Sequence, residues 1–268
     1  MANVIKIKKG LDINLKGKAS DVLLNGGKSE SYAIVPDYYN GIVPKVVAKV
    51  GEKVKAGSVL MIDKNRPEIK FVSPVSGEVT AVNRGEKRKV LSIVVKPDAQ
   101  IEYEEFGKKN VASLQGAEVK EVLLNAGMWP FIKQRPYDIV AAPLDTPRDI
   151  FVSAFYSAPL APNFDFIVKG QEADFQTGLN ALAKLTNGKV YVGVRSGSVV
   201  SGMKGVEIVE VEGPHPAANV GVQINHIKPV NKGEVVWTVN PADVIVIGRL
   251  FNKGVADFSP VSYTHLRA

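Results

Sequence analysis

Two stretches between Ser31 and Lys96 repeat one pattern, and this near-repeat constrains the fold more than any other feature of the chain. Gly41-Ile42-Val43 with Val50-Gly51-Glu52-Lys53-Val54 resembles Gly77-Glu78-Val79 with Arg84-Gly85-Glu86-Lys87, about 35 residues further on. Each copy reads as a strand, a glycine turn and another strand, and neither can bury its apolar face alone. The near-repeat therefore predicts a sandwich of two interlocked copies.

The same region resembles a known carrier fold. Val59–Lys64 followed by Ser73–Val79 is similar to the biotinyl/lipoyl domain, a barrel-sandwich hybrid. In carriers the modified lysine lies on a hairpin tip upstream of such a Ser-Pro segment, which makes Lys64 the candidate for lipoate or biotin. The proline-containing stretch Asn65–Glu68 makes this hairpin longer and stiffer than a carrier's. We therefore expect no covalent cofactor, and a carrier module using Lys64 is the alternative.

The second half of the chain has α/β character. Apolar residues at helical spacing predict helices over Ser113–Gly127 and Asp174–Asn187. Strand-like apolar runs lie around them, at residues 138–142, 150–154, 189–194, 206–211, 235–239 and 244–247. Alternating strands and helices favour a Rossmann-like sheet with a parallel core. The predicted division is a barrel-sandwich hybrid with an N-terminal strand at 1–100, a Rossmann-like α/β domain without a flavin loop at 101–256, and a truncated or foreign tail at 257–268.

A nucleotide site in such a sheet needs a glycine-rich turn that opens a helix. No G-x-G-x-x-G is present, and Gly193–Ser198 matches that pattern only in part. The first predicted helix leads instead into Gly127–Pro136, which is bulky, apolar and rich in aromatic and cationic side chains. This loop cannot wrap a phosphate, but Trp129 and Phe131 could present aromatic surface to a flat ligand such as a quinone headgroup. The alternative is that both rings only pack.

Composition excludes several classes of function. Cysteine is absent, which removes disulfides, thiolate metal sites and iron–sulfur ligation from these residues. The three histidines have no metal-site spacing, and no zinc-protease, P-loop or nucleophile-elbow motif occurs. The net charge of +7 is spread in short clusters without interleaved aromatics, so we expect no nucleic-acid binding. Without a signal peptide or a membrane-length apolar run, the chain reads as soluble and cytoplasmic.

Several segments in order resemble the NqrA family, one of the subunit families of the Na⁺-translocating NADH:quinone oxidoreductase (Na⁺-NQR), over its N-terminal part only. The segments are Ile5–Asp12, Asn83–Arg88, Gly127–Trp129 with Arg135-Pro136, Ser153–Ala161, Gly213–Ala217, Pro229-Val230, Val236–Asn240 and Asp243–Ile245. The resemblance implies a peripheral subunit on the cytoplasmic side of the bacterial inner membrane. It implies a fold similar to the flavin-binding subunit of complex I, without the flavin loop.

The family also implies the chemistry and the partners. The complex passes electrons from NADH to quinone and exports Na⁺. Its FMN, FAD, riboflavin and iron–sulfur centre belong to partner subunits, and this chain is expected to bind no cofactor and to be non-catalytic alone. The partners are the other five subunits, chiefly the membrane subunit NqrB. The alternative within electron transport is a protein similar to the RnfC subunit of Rnf-type complexes.

The resemblance implies that quinone contacts two segments. The expected quinone-binding residues are Tyr38, Tyr39, Trp129, Phe131, Ile132, Lys133, Gln134 and Arg135. No catalytic residue and no metal ligand is expected.

The chain departs from the family pattern in two places. Ala218 replaces a glycine, and Gln223-Ile224-Asn225 replaces a His-x-His pair, which puts any role of those histidines in doubt. Pro260–Ala268 does not resemble a family continuation, so we expect it to be a foreign or truncated end and give His265 no function.

Overall fold

The computed structural model describes residues 3–13, 15–16, 21–22 and 29–259; the predicted end at 260–268, with His265, lies outside them. The strands are β1 (Asn3–Lys6), β2 (Tyr32–Ile34), β3 (Pro44–Val46), β4 (Lys53–Val54), β5 (Val59–Asp63), β6 (Lys70–Val72), β7 (Gly77–Arg84), β8 (Val90–Pro97), β9 (Lys133–Arg135), β10 (Ile139–Val140), β11 (Ile150–Ser153), β12 (Val190–Val194), β13 (Glu207–Glu212) and β14 (Val236–Thr238). The helices are α1 (Gly116–Asn125), α2 (Phe164–Val168), α3 (Glu172–Ala183), α4 (Val220–Ile227) and α5 (Pro241–Lys253).

The described residues fall into two compact units. The barrel unit holds residues 29–144 and 249–259, and the α/β unit holds the N-terminal residues and 145–248. Both units are discontinuous along the chain, whereas the division predicted from the sequence is continuous. That division at residues 100 and 256 stays a prediction.

Two antiparallel sheets form the front part of the barrel unit, in the orders β2-β8-β7-β4 and β3-β5-β6. Apolar and polar residues alternate along these short strands, so each sheet buries one face. Leu60, Phe71, Val79 and Ile93 are almost fully buried and form the core of this region. The sandwich of short strands predicted from the near-repeat is confirmed.

The hairpin that carries Lys64 is fixed by a buried carboxylate. Asp63 is fully buried and accepts hydrogen bonds from the backbone N–H groups of Val43 and Asn65, at 3.0 and 3.2 Å. Its other oxygen accepts from Arg66 Nε at 2.8 Å. Lys64 is exposed at the start of this turn. The turn is therefore held to the body of the barrel unit, unlike a freely protruding carrier tip.

The α/β unit is built on a parallel sheet. Among its described residues, five strands pair in the order β1-β13-β12-β11-β14, and every pairing is parallel. Chain direction through the sheet reverses between β11 and β14, since β12 and β13 lie on one side of β11 and β14 on the other. The predicted α/β class with a parallel core is confirmed.

One predicted strand is wrong. Residues 244–247 lie inside helix α5, which begins at Pro241. Asn240 precedes the helix, and its side-chain oxygen accepts a hydrogen bond from Ala242 N–H at 3.0 Å, as an N-cap does. Because Val244, Ile245 and Ile247 are all buried, the helix shows a continuous apolar run that has no helical period.

A buried acid ties together the loops at the amino ends of the parallel strands. Asp149 accepts hydrogen bonds from Arg148 Nε and Lys228 Nζ, both at 2.8 Å, and from Lys189 N–H at 3.1 Å. Burial by itself raises the pKa of Asp149, but hydrogen bonds from Lys228, Lys189 and Arg148 outweigh it and lower the pKa below the ordinary value. The network therefore stabilises the fold at neutral pH and is lost as the pH falls through that lowered pKa. Its partners make it structural.

No helix in the described part of the chain combines the length and apolar character needed to cross a bilayer.

Candidate functional site

The segment expected to contact a ligand begins where helix α1 ends. Gly127 has a φ of +67°, and a Cβ added there would lie 2.4 Å from Val72 Cγ1. Glycine is required here for both reasons, because other residues adopt this φ with strain and would collide with Val72. The chain then makes a 3-10 turn over Trp129–Phe131 and enters β9. This tight turn decides which of the successive rings points inward.

Trp129 differs from its expected role. Its side chain is 0% exposed, and its Nε1–H donates a hydrogen bond to the carbonyl oxygen of Ala141 at 2.8 Å. Ile132 is also fully buried. These two side chains therefore support the turn from below and present no surface to a ligand. For Trp129, the packing alternative is the correct one.

Phe131 faces a cavity of about 230 Å³ within the barrel unit. Tyr39, from the other segment expected to contact a ligand, lines the same cavity, so the structure brings these two residues together. The remaining walls include Ala33 from β2, Phe71 from β6, and Phe258 after helix α5. All lining side chains are apolar or aromatic, and the Tyr39 hydroxyl is their single polar group. Such a site suits a flat ligand of low polarity.

The four aromatic rings of this cavity meet in two edge-to-face pairs. The centroids of Tyr39 and Phe71 are 4.7 Å apart with the rings inclined at 69°. The centroids of Phe131 and Phe258 are 6.1 Å apart at 71°. Edge-to-face packing holds each ring in a defined orientation and leaves ring faces for a further planar group. Lys133 Nζ, 5.1 Å from the Tyr39 ring centroid, adds a positive charge beside one pair.

The other expected contact residues do not line the cavity. Tyr38 is 79% exposed and lies in a short 3-10 turn. Gln134 is buried, and its Oε1 accepts a hydrogen bond from Ala142 N–H at 3.0 Å. Arg135 Nε pairs with Asp138 Oδ1 at 3.4 Å across the β9–β10 turn. Gln134 and Arg135 thus hold the hairpin behind Phe131.

Sequence reasoning missed Ala33, Phe71 and Phe258 as members of the site. Phe71 belongs to a predicted strand, but nothing in its spacing distinguishes a cavity wall from a core residue. Phe258 falls in the predicted tail, where no pattern marked it. An aromatic residue directly after an apolar helix was the signal available for Phe258.

The partial glycine motif of the α/β unit has a packing explanation. A Cβ on Gly193 would lie 2.2 Å from Gln223 Oε1. Gln223 is buried, and its Nε2 donates hydrogen bonds to Ser153 Oγ at 2.9 Å and Ala217 O at 3.1 Å. Gly193 therefore makes room for a buried glutamine. The same contacts give Gln223, one of the departures from the family pattern, a structural role.

Polar groups at the carboxyl ends of the parallel strands bond mainly to one another. Arg195 donates to the carbonyls of Val211 and Gly213 at 3.3 and 2.9 Å, and its Cζ lies 4.5 Å from the Phe155 ring centroid. Ser157 Oγ is 3.1 Å from His215 Nδ1. Across the described residues, no group of three or more His, Asp and Glu side chains is arranged to hold a metal ion. The cavity in the barrel unit remains the candidate site.

Both halves of the chain match family models. Residues 5–98 match the NqrA N-terminal barrel-sandwich hybrid domain, and residues 114–256 match the NqrA second alpha/beta domain.

Curated relatives carry a consistent name, that of the A subunit of the Na(+)-translocating NADH-quinone reductase. The relative from Hahella chejuensis is 40% identical over 256 residues. The relatives from Photorhabdus laumondii and Neisseria meningitidis serogroup A are each 38% identical over 255 residues. Each alignment covers 94% of this chain and 57% of the relative. The chain thus spans a little over half the length of these relatives.

Proposed function

The chain belongs to the NqrA family of Na(+)-translocating NADH-quinone reductase subunits, and we propose that it is the part of such a subunit that receives the quinone ring. The complex would oxidise NADH, reduce quinone and export Na⁺. This chain would contribute a binding site and a scaffold for assembly, and no bond-making centre of its own.

The observation that carries this proposal is the aromatic cavity. Tyr39 and Phe131 come from the two segments that the family resemblance associates with quinone, and both line the same cavity of about 230 Å³. A quinone ring is planar, weakly polar and well matched to ring faces. Lys133 beside Tyr39 supplies a positive charge that favours the negative charge developing on a quinone oxygen during reduction.

The same proposal assigns the electron carriers to partners. Iron–sulfur clusters need cysteine ligands, and this sequence has none. FMN, FAD, riboflavin and the iron–sulfur centre would belong to the other five subunits, and NqrB in the membrane would be the chief contact. The side chains here would bind and orient the ring and exclude water from it.

The location and the finer fold are part of the proposal. We place the chain as a peripheral subunit on the cytoplasmic side of the bacterial inner membrane. The order of β11 to β14, with its reversal beside β11, supports a Rossmann-like fold related to the complex I flavin subunit.

Phe131→Ala tests the site. In the assembled complex, we expect this change to raise the quinone KM about fivefold, since an aromatic contact contributes about 1 kcal/mol. Oxidation of NADH by artificial acceptors should stay unchanged, because that step does not use the cavity. Tyr137→Ala is the matched control: Tyr137 lies in the same region but is 78% exposed and does not line the cavity. Equal quinone KM values for Phe131→Ala and wild type would remove the cavity from the mechanism.

A further inference from the structure

Phe258 forms a wall of the proposed quinone site from a part of the chain that neither quinone-linked segment includes. It lies after helix α5, is partly buried, and meets Phe131 edge to face across 6.1 Å. Since Phe131 is anchored in the turn before β9, Phe258 is the member of this pair whose position depends on a separate segment. The width of the cavity on this side therefore depends on what holds Phe258.

The segment carrying Phe258 is held by side chains on both sides of it. Asp257 is 7% exposed and accepts hydrogen bonds from Lys253 Nζ at 2.7 Å and from Ser259 N–H at 3.0 Å. Arg249 NH1 donates to the carbonyl oxygen of Ser259 at 2.9 Å and lies 3.9 Å from Asp257 Oδ1. These contacts fix the backbone immediately before and after Phe258. No regular strand or helix does so, because α5 ends at Lys253.

The carboxylate at the centre of this arrangement is charged at all physiological pH values. Burial by itself raises the pKa of Asp257, but hydrogen bonds from Lys253 and Ser259 outweigh it and lower the pKa to about 2. The arrangement is therefore present well above pH 2 and is lost only as the pH falls through about 2. Phe258 is thus held in place under working conditions.

We propose that Phe258 sets the width of the quinone site and selects one-ring over bulkier two-ring headgroups, with Asp257 as its positioning residue. This inference rests on the proposed function, since it assigns further members to the same cavity. Phe258 would contact the ring directly, and Asp257 would act only through the Phe258 backbone.

The test compares two quinones in the assembled complex. For Phe258→Ala, we expect the KM of a one-ring 1,4-benzoquinone to rise about tenfold, as for loss of a packed aromatic wall. The kcat should change less than twofold. The KM of a two-ring 1,4-naphthoquinone should rise less, so that the preference for one ring falls several-fold. Phe258→Leu should retain most of the affinity, and Asp257→Asn should raise the one-ring KM about threefold while the unfolding midpoint stays above the assay temperature.

The outcomes separate this inference from the proposed function. If Phe131→Ala raises the quinone KM and Phe258→Ala does not, the assignment of Phe258 is wrong and the site stands. If Phe258→Ala raises both KM values equally, the residue is only structural and the selectivity claim fails. If neither phenylalanine matters, the proposed site fails and this inference with it.

Discussion

Replacing Ala33 with phenylalanine is expected to weaken quinone binding at least about tenfold while leaving the fold intact. Ala33 lies in β2, is exposed, and lines the cavity, so a larger side chain there would occupy the space of the ligand. Overpacking penalties of about 1–3 kcal/mol correspond to a fall in affinity of about five- to 150-fold. Phenylalanine suits a strand at least as well as alanine, so no loss of stability follows. The quinone Kd and the quinone KM both report the effect.

The control is the same substitution elsewhere in the barrel unit. Ala99 is exposed after β8 and does not line the cavity. Ala99→Phe should therefore leave the quinone Kd and KM at their wild-type values. A folded Ala33→Phe chain that binds quinone normally would show that the ligand lies elsewhere.

Replacing Gly248 with alanine should destabilise the protein by at least about 2 kcal/mol. Helices α3 and α5 touch through their backbones: a Cβ on Gly248 would lie 1.7 Å from Asp174 O, and a Cβ on Gly178 would lie 2.0 Å from Val244 O. Backbone atoms cannot move aside as a flexible side chain can. The two helices must separate, and their packing loss exceeds the gain of about 1 kcal/mol in helix propensity. Urea unfolding followed by circular dichroism measures the difference.

Gly221→Ala is the matched control for that experiment. Gly221 lies in helix α4, and a Cβ added there would meet nothing within 4 Å. Only the propensity gain applies, so this variant should be more stable by about 0.5–1 kcal/mol. If Gly248→Ala were as stable as Gly221→Ala, the close contact of the two helices would be refuted.

Local patterns predicted much of the fold because they report local physics. Helix α1 was expected over Ser113–Gly127, and Gly127 does end it in the left-handed conformation. Its start lies later, at Gly116, because Gln115 and Glu118 form a reciprocal capping box. Ser113 belongs instead to a preceding 3-10 turn. The end of the helix was readable from one glycine, whereas its start required choosing between two competing caps.

The site was harder to predict because a cavity depends on several distant segments. Tyr39 and Phe131 were identified through the family resemblance, and they do line one cavity. Trp129 was assigned to the surface because a bulky ring next to prolines can either pack or bind, and spacing does not distinguish the two. Phe71 and Phe258 enter the site only through tertiary packing. Their roles could not be read from short-range pattern.

The most direct measurement is a structure of the assembled complex with a one-ring quinone bound. The ring should lie in the cavity between Phe131 and Tyr39, in contact with Phe258, and its density should disappear with Ala33→Phe. A well-occupied ring at another place in this chain, or on a partner subunit with this cavity empty, would contradict the account.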